Sequence, residues 1–295
     1  MIVSKIIGGI GNQMFQYAAG YAHSMKYSEN LILDVRDFKG YNLHNGFELD
    51  EVFGIEGQIR DEITTPKILR YYSNRYYKSL ARRFPNVHLL NPSLIIEPHH
   101  NYWSGWEGMP KNIYLEGYWQ SEKYFGNYRR EIRDKFTFIK NLNNRSDSLN
   151  KIISNDSFAV SIHIRRGDYI TDNASAKILG GCDIDYYKRA IDFMKTRKSE
   201  ATFYVFSDEI DWIKGQGILD EYKHIYVEHN KGGDSWQDLF LMSQCKHNIT
   251  ANSTFSWWGA WLNRNIEKIV VAPKKWFVTE NINGDDIVPA DWIKL

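Results

Sequence analysis

From residue 158 to residue 272 the chain repeats one pattern: a short apolar run, a polar turn, then an amphipathic stretch of helical length. Apolar runs fall at 158–164, 201–206, 225–228, 248–251 and 269–272, with helical stretches at 185–197, 235–245 and 255–263. Strands separated by helix-length segments do not pair as hairpins; they line up in parallel, with helices packed over the sheet. A chain patterned this way is committed to an α/β architecture with a doubly wound sheet. No internal repeat or low-complexity tract competes with that reading.

The first half opens in the same style. Residues 2–7 read as a buried strand, ended by Gly8, Gly9, Ile10 and Gly11. Asn12 then opens a helix with Met14, Phe15, Ala18, Ala19 and Ala22 on its apolar face, and 31–35 is the next strand. A glycine turn between strand and helix lets backbone N–H groups approach a pyrophosphate, although the third glycine of the dinucleotide fingerprint is missing. Residues 36–112 alternate short apolar runs with turn residues. Within them 67–84, KILRYYSNRYYKSLARRF, reads as a basic helix with one aromatic stripe. Such a helix packs its stripe inward, or docks on an anionic membrane surface where a lipid-linked acceptor is presented. Residues 112–119 read as a strand, and Ser121 as the cap of a helix over 122–136. The polar stretch 140–148, KNLNNRSDS, lacks apolar periodicity and reads as a linker, which divides the chain into domains 1–145 and 146–295.

Composition limits the function. A net charge of +1 supplies no long-range field for nucleic acid, so any anion site is local. Aromatic residues make up 15%, which suits both a sugar-handling surface and ordinary cores. The two cysteines, Cys182 and Cys245, have no ligand-like spacing, which argues against a disulfide scaffold or zinc site and fits a reducing compartment. The start, MIVSKIIGGIGNQ, reaches glycines before an apolar signal region forms, and no run approaches the ~18 apolar residues of a membrane span. The expectation is a cytoplasmic protein, at most touching the inner membrane surface through 67–84, with the sequons at Asn144 and Asn173 unglycosylated.

Chemistry concentrates at strand ends. In FAVSIHIRRGDY, 158–169, alternation sets Ser161, His163 and Arg165 on one face, points Arg166 the other way, and ends at Gly167. Open α/β sheets bind ligands outside the carboxyl ends of their strands, so Arg165 stands where a ligand stands. Two arginines closing an apolar strand are costly unless an anion meets them, and that anion is either a phosphate or Asp168. The embedded Arg166-Gly167-Asp168 spells an adhesion signal, a coincidence at a strand end. Asn252, Ser253 and Thr254 bridge another strand end to a helix start, as an anion cradle or as plain capping. Asp208 closes FYVFSD, where a carboxylate either accepts from a guanine edge or caps the next helix. Asp183-Ile184-Asp185 has metal-binding spacing but directly precedes a helix, which favours a cap over a cation. Trp257, Trp258 and Trp261 favour packing over a sugar platform.

Taken together, GGIGNQMFQYAAG, YLEGYWQSEKYF, HIRRGDY, FSDE and ANSTFSWWGAWL resemble the α-1,2-fucosyltransferases of glycosyltransferase family 11, in order from about Gly8 to about Pro273. The resemblance implies a GT-B-like fold, two Rossmann-like domains facing across a cleft, with an acceptor-side first domain and a second that binds GDP-β-L-fucose. It implies inversion to an α-linked fucose without an obligatory metal or other cofactor. By position, Arg165 is expected to hold the diphosphate, His163 to line the nucleotide pocket, and Asp208 to recognise guanine. Asn252, Ser253, Thr254 and Phe255 are expected to complete the phosphate cradle, with Gly9, Gly11 and Asn12 facing the site from the first domain. The partners implied are GDP-fucose and a galactose-containing oligosaccharide or lipid-linked glycan, and no nucleic acid.

The reaction this implies is a single displacement, with the acceptor's 2-hydroxyl attacking the anomeric carbon as the bond to GDP breaks. Arg165 answers the charge on the leaving diphosphate. Asp168, Glu116 and His44 are the candidate bases, and Asp168 is preferred for its closeness to Arg165 in the chain. The rivals are a related transferase using another activated sugar and a non-catalytic carbohydrate- or nucleotide-binding module.

Overall fold

Parallel strands organise both halves of the chain, which form two units, Met1–Ile139 and Lys140–Leu295. A computed structural model describes residues 1–40, 44–57, 93–167, 178–279 and 281–295. The basic stretch 67–84, Asn173 and the predicted base Asp168 lie outside the described residues.

In the first unit β1 (Ile2–Lys5) leads through Gly8 and Gly9 into α1 (Ile10–Tyr27) and then β2 (Leu31–Asp34). A short helix α2 (Leu49–Phe53), β3 (Leu94–Ile96), β4 (Ile113–Glu116) and α3 (Arg129–Lys135) follow. The four strands lie in the order β2-β1-β4-β3, every pair parallel. Helix α1 lies close on the sheet because Gly20 leaves room; a Cβ there would sit 2.9 Å from Leu31 and 3.0 Å from Ser4. The predicted helix over 122–136 is broken into 3₁₀ turns at Glu122–Tyr124 and Gly126–Tyr128 before α3 begins. Phe125 explains the break: it is buried against Phe15, its φ of −139° is not helical, and Gly126 after it favours no helix.

The second unit begins with α4 (Asn144–Asn155), where a linker was expected. Asn143 caps it by accepting from Ser146 N at 2.9 Å, and Leu149 and Ile153, four apart, bury one narrow stripe. Two apolar residues in a polar stretch suffice because, apart from buried Ser146, the rest of the helix is partly or fully exposed. Strands β5 (Ala159–Ile164), β6 (Thr202–Ser207), β7 (His224–Val227), β8 (His247–Ile249), β9 (Val270–Ala272) and β10 (Ile293–Lys294) form one sheet. Between them run α5 (Ile184–Arg197), α6 (Ile210–Gln216), α7 (Trp236–Gln244) and α8 (Thr254–Leu262). The order β10-β9-β8-β5-β6-β7, all parallel, is the Rossmann order read from its far edge.

Alternation along β5 divides the core. Val160, Ile162 and Ile164 pack with Tyr187, Ala190 and Met194 of α5 on one side of the sheet. Ala159 lies with Leu149, Ile153, Tyr204 and Leu241 on the other. Each such fully buried aliphatic side chain contributes about 1.5–3 kcal/mol, so both helical layers are held chiefly by burial. No helix among the described residues is long and apolar enough to cross a membrane.

Candidate active site

In the second unit the chain leaves β5 toward β6 and returns beside it at β8, so the order reverses between those strands. A crevice opens at such a reversal outside the carboxyl ends, and here one lip carries Arg165 and the other the start of α8. Ser161 ties the lips together by accepting from Asn248 Nδ2 at 2.7 Å, and Asn263 Nδ2 donates to Asn248 Oδ1 at 2.8 Å. That buried amide network was not read from the sequence, where Ser161 and Asn248 looked like unremarkable strand positions.

Arg165 is partly exposed, with its guanidinium 3.3 Å from the Asp208 carboxylate. Asp208 also accepts from Arg166 N and Gly167 N, each at 3.1 Å. A Cβ on Gly167 would lie 2.9 Å from Asp208 Oδ2, so glycine is what lets the loop close on the carboxylate. Asp208 therefore clamps the turn after β5 and pairs with Arg165; the guanine contact expected of it competes with these bonds. Arg166 turns away as the alternation requires, stacking 3.6 Å over the Trp212 ring with Nε 3.5 Å from Glu209.

Ser253 occupies the N-cap position of α8, yet its side chain makes no capping hydrogen bond. The first intrahelical bond runs from Trp257 N to Ser253 O at 3.0 Å, so the N–H groups of Thr254, Phe255 and Ser256 precede the helical ladder. Positive helix-end charge and these donors face the ligand edge of the sheet. Asn252 is placed differently from the expected cradle. Its buried Nδ2 donates to Leu179 O, Gly180 O and Trp276 O at 2.9–3.0 Å, which fastens two loops to the end of β8. His163 is buried, 5.7 Å from the Phe255 ring, with no hydrogen-bond partner at Nδ1. Burial, then the charge of Arg165, lowers its pKa to about 3, so it is a neutral imidazole beside the arginine.

The metal-spaced pair resolves as a cap. Asp183 accepts from Tyr186 N at 2.6 Å and starts α5. Among the described residues, no group of three or more His, Cys, Asp or Glu is arranged to hold a metal ion. Trp257, Trp258 and Trp261 are buried against one another, and Trp257 Nε1 donates to Ile287 O at 2.7 Å, so they are core.

The first unit has its own reversal, between β1 and β4. Gly8 turns there with a φ of 88°, and Gly9 stands against the His44 ring, 3.5 Å from where a Cβ would be. Asn12 Oδ1 accepts from Gln120 Nε2 at 2.9 Å, which joins the turn after β1 to the loop after β4. Asn12 and the Gly9 turn thus stand beside the loop after β4, with His44 against Gly9. Glu116 is buried with its carboxylate 3.6 Å from Lys5 Nζ. Sequence reading missed Glu97 and Trp119. Trp119 is fully buried with a φ of 55°, and Glu97 accepts from the backbone N–H of both Tyr118 and Trp119.

Two parallel α/β units with strand order and strand ends of this kind define the class: a GT-B-like transferase architecture. NodZ α-1,6-fucosyltransferase, in a crystal structure soaked with GDP-fucose, superimposes with a TM-score of 0.52 at 13% identity over 88% of this chain and 91% of that one. The model of glycosyl transferase family 11 matches residues 101–295, and the chain belongs to that family. An alpha-1,2-colitosyltransferase of Escherichia coli is 36% identical over 100% of this chain and 99% of its own length. The O-antigen biosynthesis glycosyltransferase WbnK of Escherichia coli is 36% identical over 99% of each chain. Human galactoside alpha-(1,2)-fucosyltransferase 1 is 27% identical over 50% of this chain and 42% of its own.

Proposed function

We propose that the protein is an inverting glycosyltransferase that moves L-fucose from GDP-β-L-fucose to the 2-hydroxyl of a terminal galactoside, forming an α-1,2 linkage. The observation that carries this reading is Arg165 at the reversal between β5 and β8, opposite the uncapped first turn of α8. A guanidinium fork and helix-end N–H groups are what a leaving diphosphate needs when no metal neutralises it. In the displacement, the C1–O bond to GDP breaks with its electron pair passing to the diphosphate. The acceptor oxygen bonds to C1 from the opposite face and gives its proton to a base. Asp168 is the base assigned here, His163 and Phe255 line the nucleotide, and Asp208, released from Arg165 by the diphosphate, is assigned to guanine. Gly9, Gly11 and Asn12 serve from the first unit, which takes the acceptor. That acceptor is a β-galactoside of an oligosaccharide or lipid-linked glycan, met in the cytoplasm at the inner membrane surface.

A second donor is favoured by a specific observation, the 36% identity to a colitosyltransferase along the whole chain. Colitose is L-fucose without its 3-hydroxyl, so one contact at that oxygen separates the two donors. The deciding assay offers GDP-fucose, GDP-colitose and GDP-mannose with a panel of β-galactosides, with and without a chelator, followed by linkage analysis. Transfer of fucose to O2, insensitive to chelator, is expected. Turnover with GDP-colitose alone reassigns the donor. GDP binding without turnover on any acceptor makes the protein a binding module.

A further inference from the structure

In the first unit, the loop that follows β4 is fixed from three directions. Gln16 Nε2 donates to Gly117 O at 3.1 Å, and Gln120 Nε2 reaches Asn12 at 2.9 Å. Between these, Glu97 at the end of β3 takes Tyr118 N at 2.6 Å and Trp119 N at 2.9 Å, one on each carboxylate oxygen. The contact is close: a Cβ on Gly117 would sit 2.4 Å from Glu97 Cβ. It also holds Trp119 in the left-handed region, where a bulky residue is rarely found without a surrounding structure that forces it.

We propose that Glu97 is a positioning residue for acceptor binding: its carboxylate holds residues 117–119 so that Gln120 keeps Asn12 in place at the ligand edge of the first unit. This rests on the reading of that unit as the acceptor side. The second unit uses the same device, since Asp208 takes two successive N–H groups in the turn that presents Arg165. In each case a carboxylate from the neighbouring strand end grips the loop at the point where strand order reverses. Burial lifts the Glu97 carboxyl to about 7 against the opposing pull of the two N–H bonds. The folded chain then binds this proton more tightly than the unfolded chain, so ionising Glu97 weakens the fold as pH rises toward 7.

Glu97→Gln in the full chain tests this. Its carbonyl can accept one N–H, but its amide NH₂ faces the other, so the clamp loosens with little change in volume. Amide exchange at Tyr118 and Trp119 is expected to quicken about tenfold, the worth of one hydrogen bond. The KM for acceptor rises about tenfold while GDP affinity stays as in the wild type. Unchanged exchange, or an acceptor KM equal to wild type, overturns the proposal; so does a loss of GDP affinity matching the loss of transfer. If Glu97→Gln does not fold, Gln120→Met cuts the last link instead: a raised acceptor KM with unaltered GDP affinity supports the chain of contacts, and a wild-type KM overturns it. Absence of transfer by the wild type on every acceptor defeats the transferase reading, and exchange at 118 and 119 then decides the clamp alone.

Discussion

Arg165 and Arg166 are neighbours whose side chains turn opposite ways. Arg165→Ala is expected to lower turnover about 100- to 1000-fold, as the loss of one leaving-group donor does. Arg165→Lys keeps the charge but not the fork and falls between the two. Arg166→Ala keeps the turnover of each folded molecule but loses the stack on Trp212, at a cost of about 1 kcal/mol in urea unfolding. A catalytic defect in the second variant without loss of stability exchanges the two roles. His163 gives a pH signature. Its native pKa of about 3 lies below its ordinary 6.5, so between those values the unfolded chain binds more protons. The contribution of His163 to stability therefore falls as pH falls through that window and is level above it. His163→Gln removes this slope, read from urea midpoints at pH 5 and 7.5. The opposed directions of Arg165 and Arg166 were legible because strand alternation fixes them. Asn252 was not: an amide serves equally well as a phosphate donor or as a tether for backbone carbonyls, and nothing local separates these. Glu97 was invisible because its partners lie 21 and 22 positions away along the chain.

At the scale of elements, β5 to β9 with α5, α7 and α8 were legible, the strands because buried parallel strands are nearly continuous apolar runs. The two failures share a cause, since each depended on a few residues packing against something distant. Helix α4 shows only Leu149 and Ile153 to the core, too few for a pattern in a polar stretch. Phe125 breaks a helix-like sequence because Phe15 holds it elsewhere. Strand β10 has two residues, both exposed, and no period to detect. The cap of α4 offers a direct check. Asn143 accepts from Ser146 N and also donates to Asn230 Oδ1 at 3.0 Å. Asn143→Ala is expected to cost about 1–2 kcal/mol by urea unfolding, the upper part of the capping range. A cost near zero means the helix is held by its apolar stripe alone.

For the whole molecule, the family match from 101 to 295 takes in all of Lys140–Leu295 and only the end of the preceding unit. The strand-end motifs of the second unit were accordingly the readable part, while the loop after β4 in the first unit emerged only from the structure. Ligand linkage gives the corresponding prediction. GDP at 100 times its Kd is expected to add about 2.7 kcal/mol to unfolding, seen as a rise in Tm, and Arg165→Ala abolishes the rise at the same GDP concentration. An undiminished rise in that variant moves the diphosphate away from β5.

Because Asp208 already sits against Arg165, an anion arriving at that strand end replaces a resident carboxylate and does not simply neutralise a bare cation. Chloride or a lone carboxylate offers the guanidinium nothing it lacks, whereas a diphosphate brings more charge and paired oxygens suited to a planar fork. If nucleotide binds as proposed, the displaced carboxylate still has its bonds to Arg166 N and Gly167 N and can take the arginine back when nucleotide departs. On the proposed reading the strand end is an exchangeable counter-ion holder, selective for dense charge yet built to let its product go.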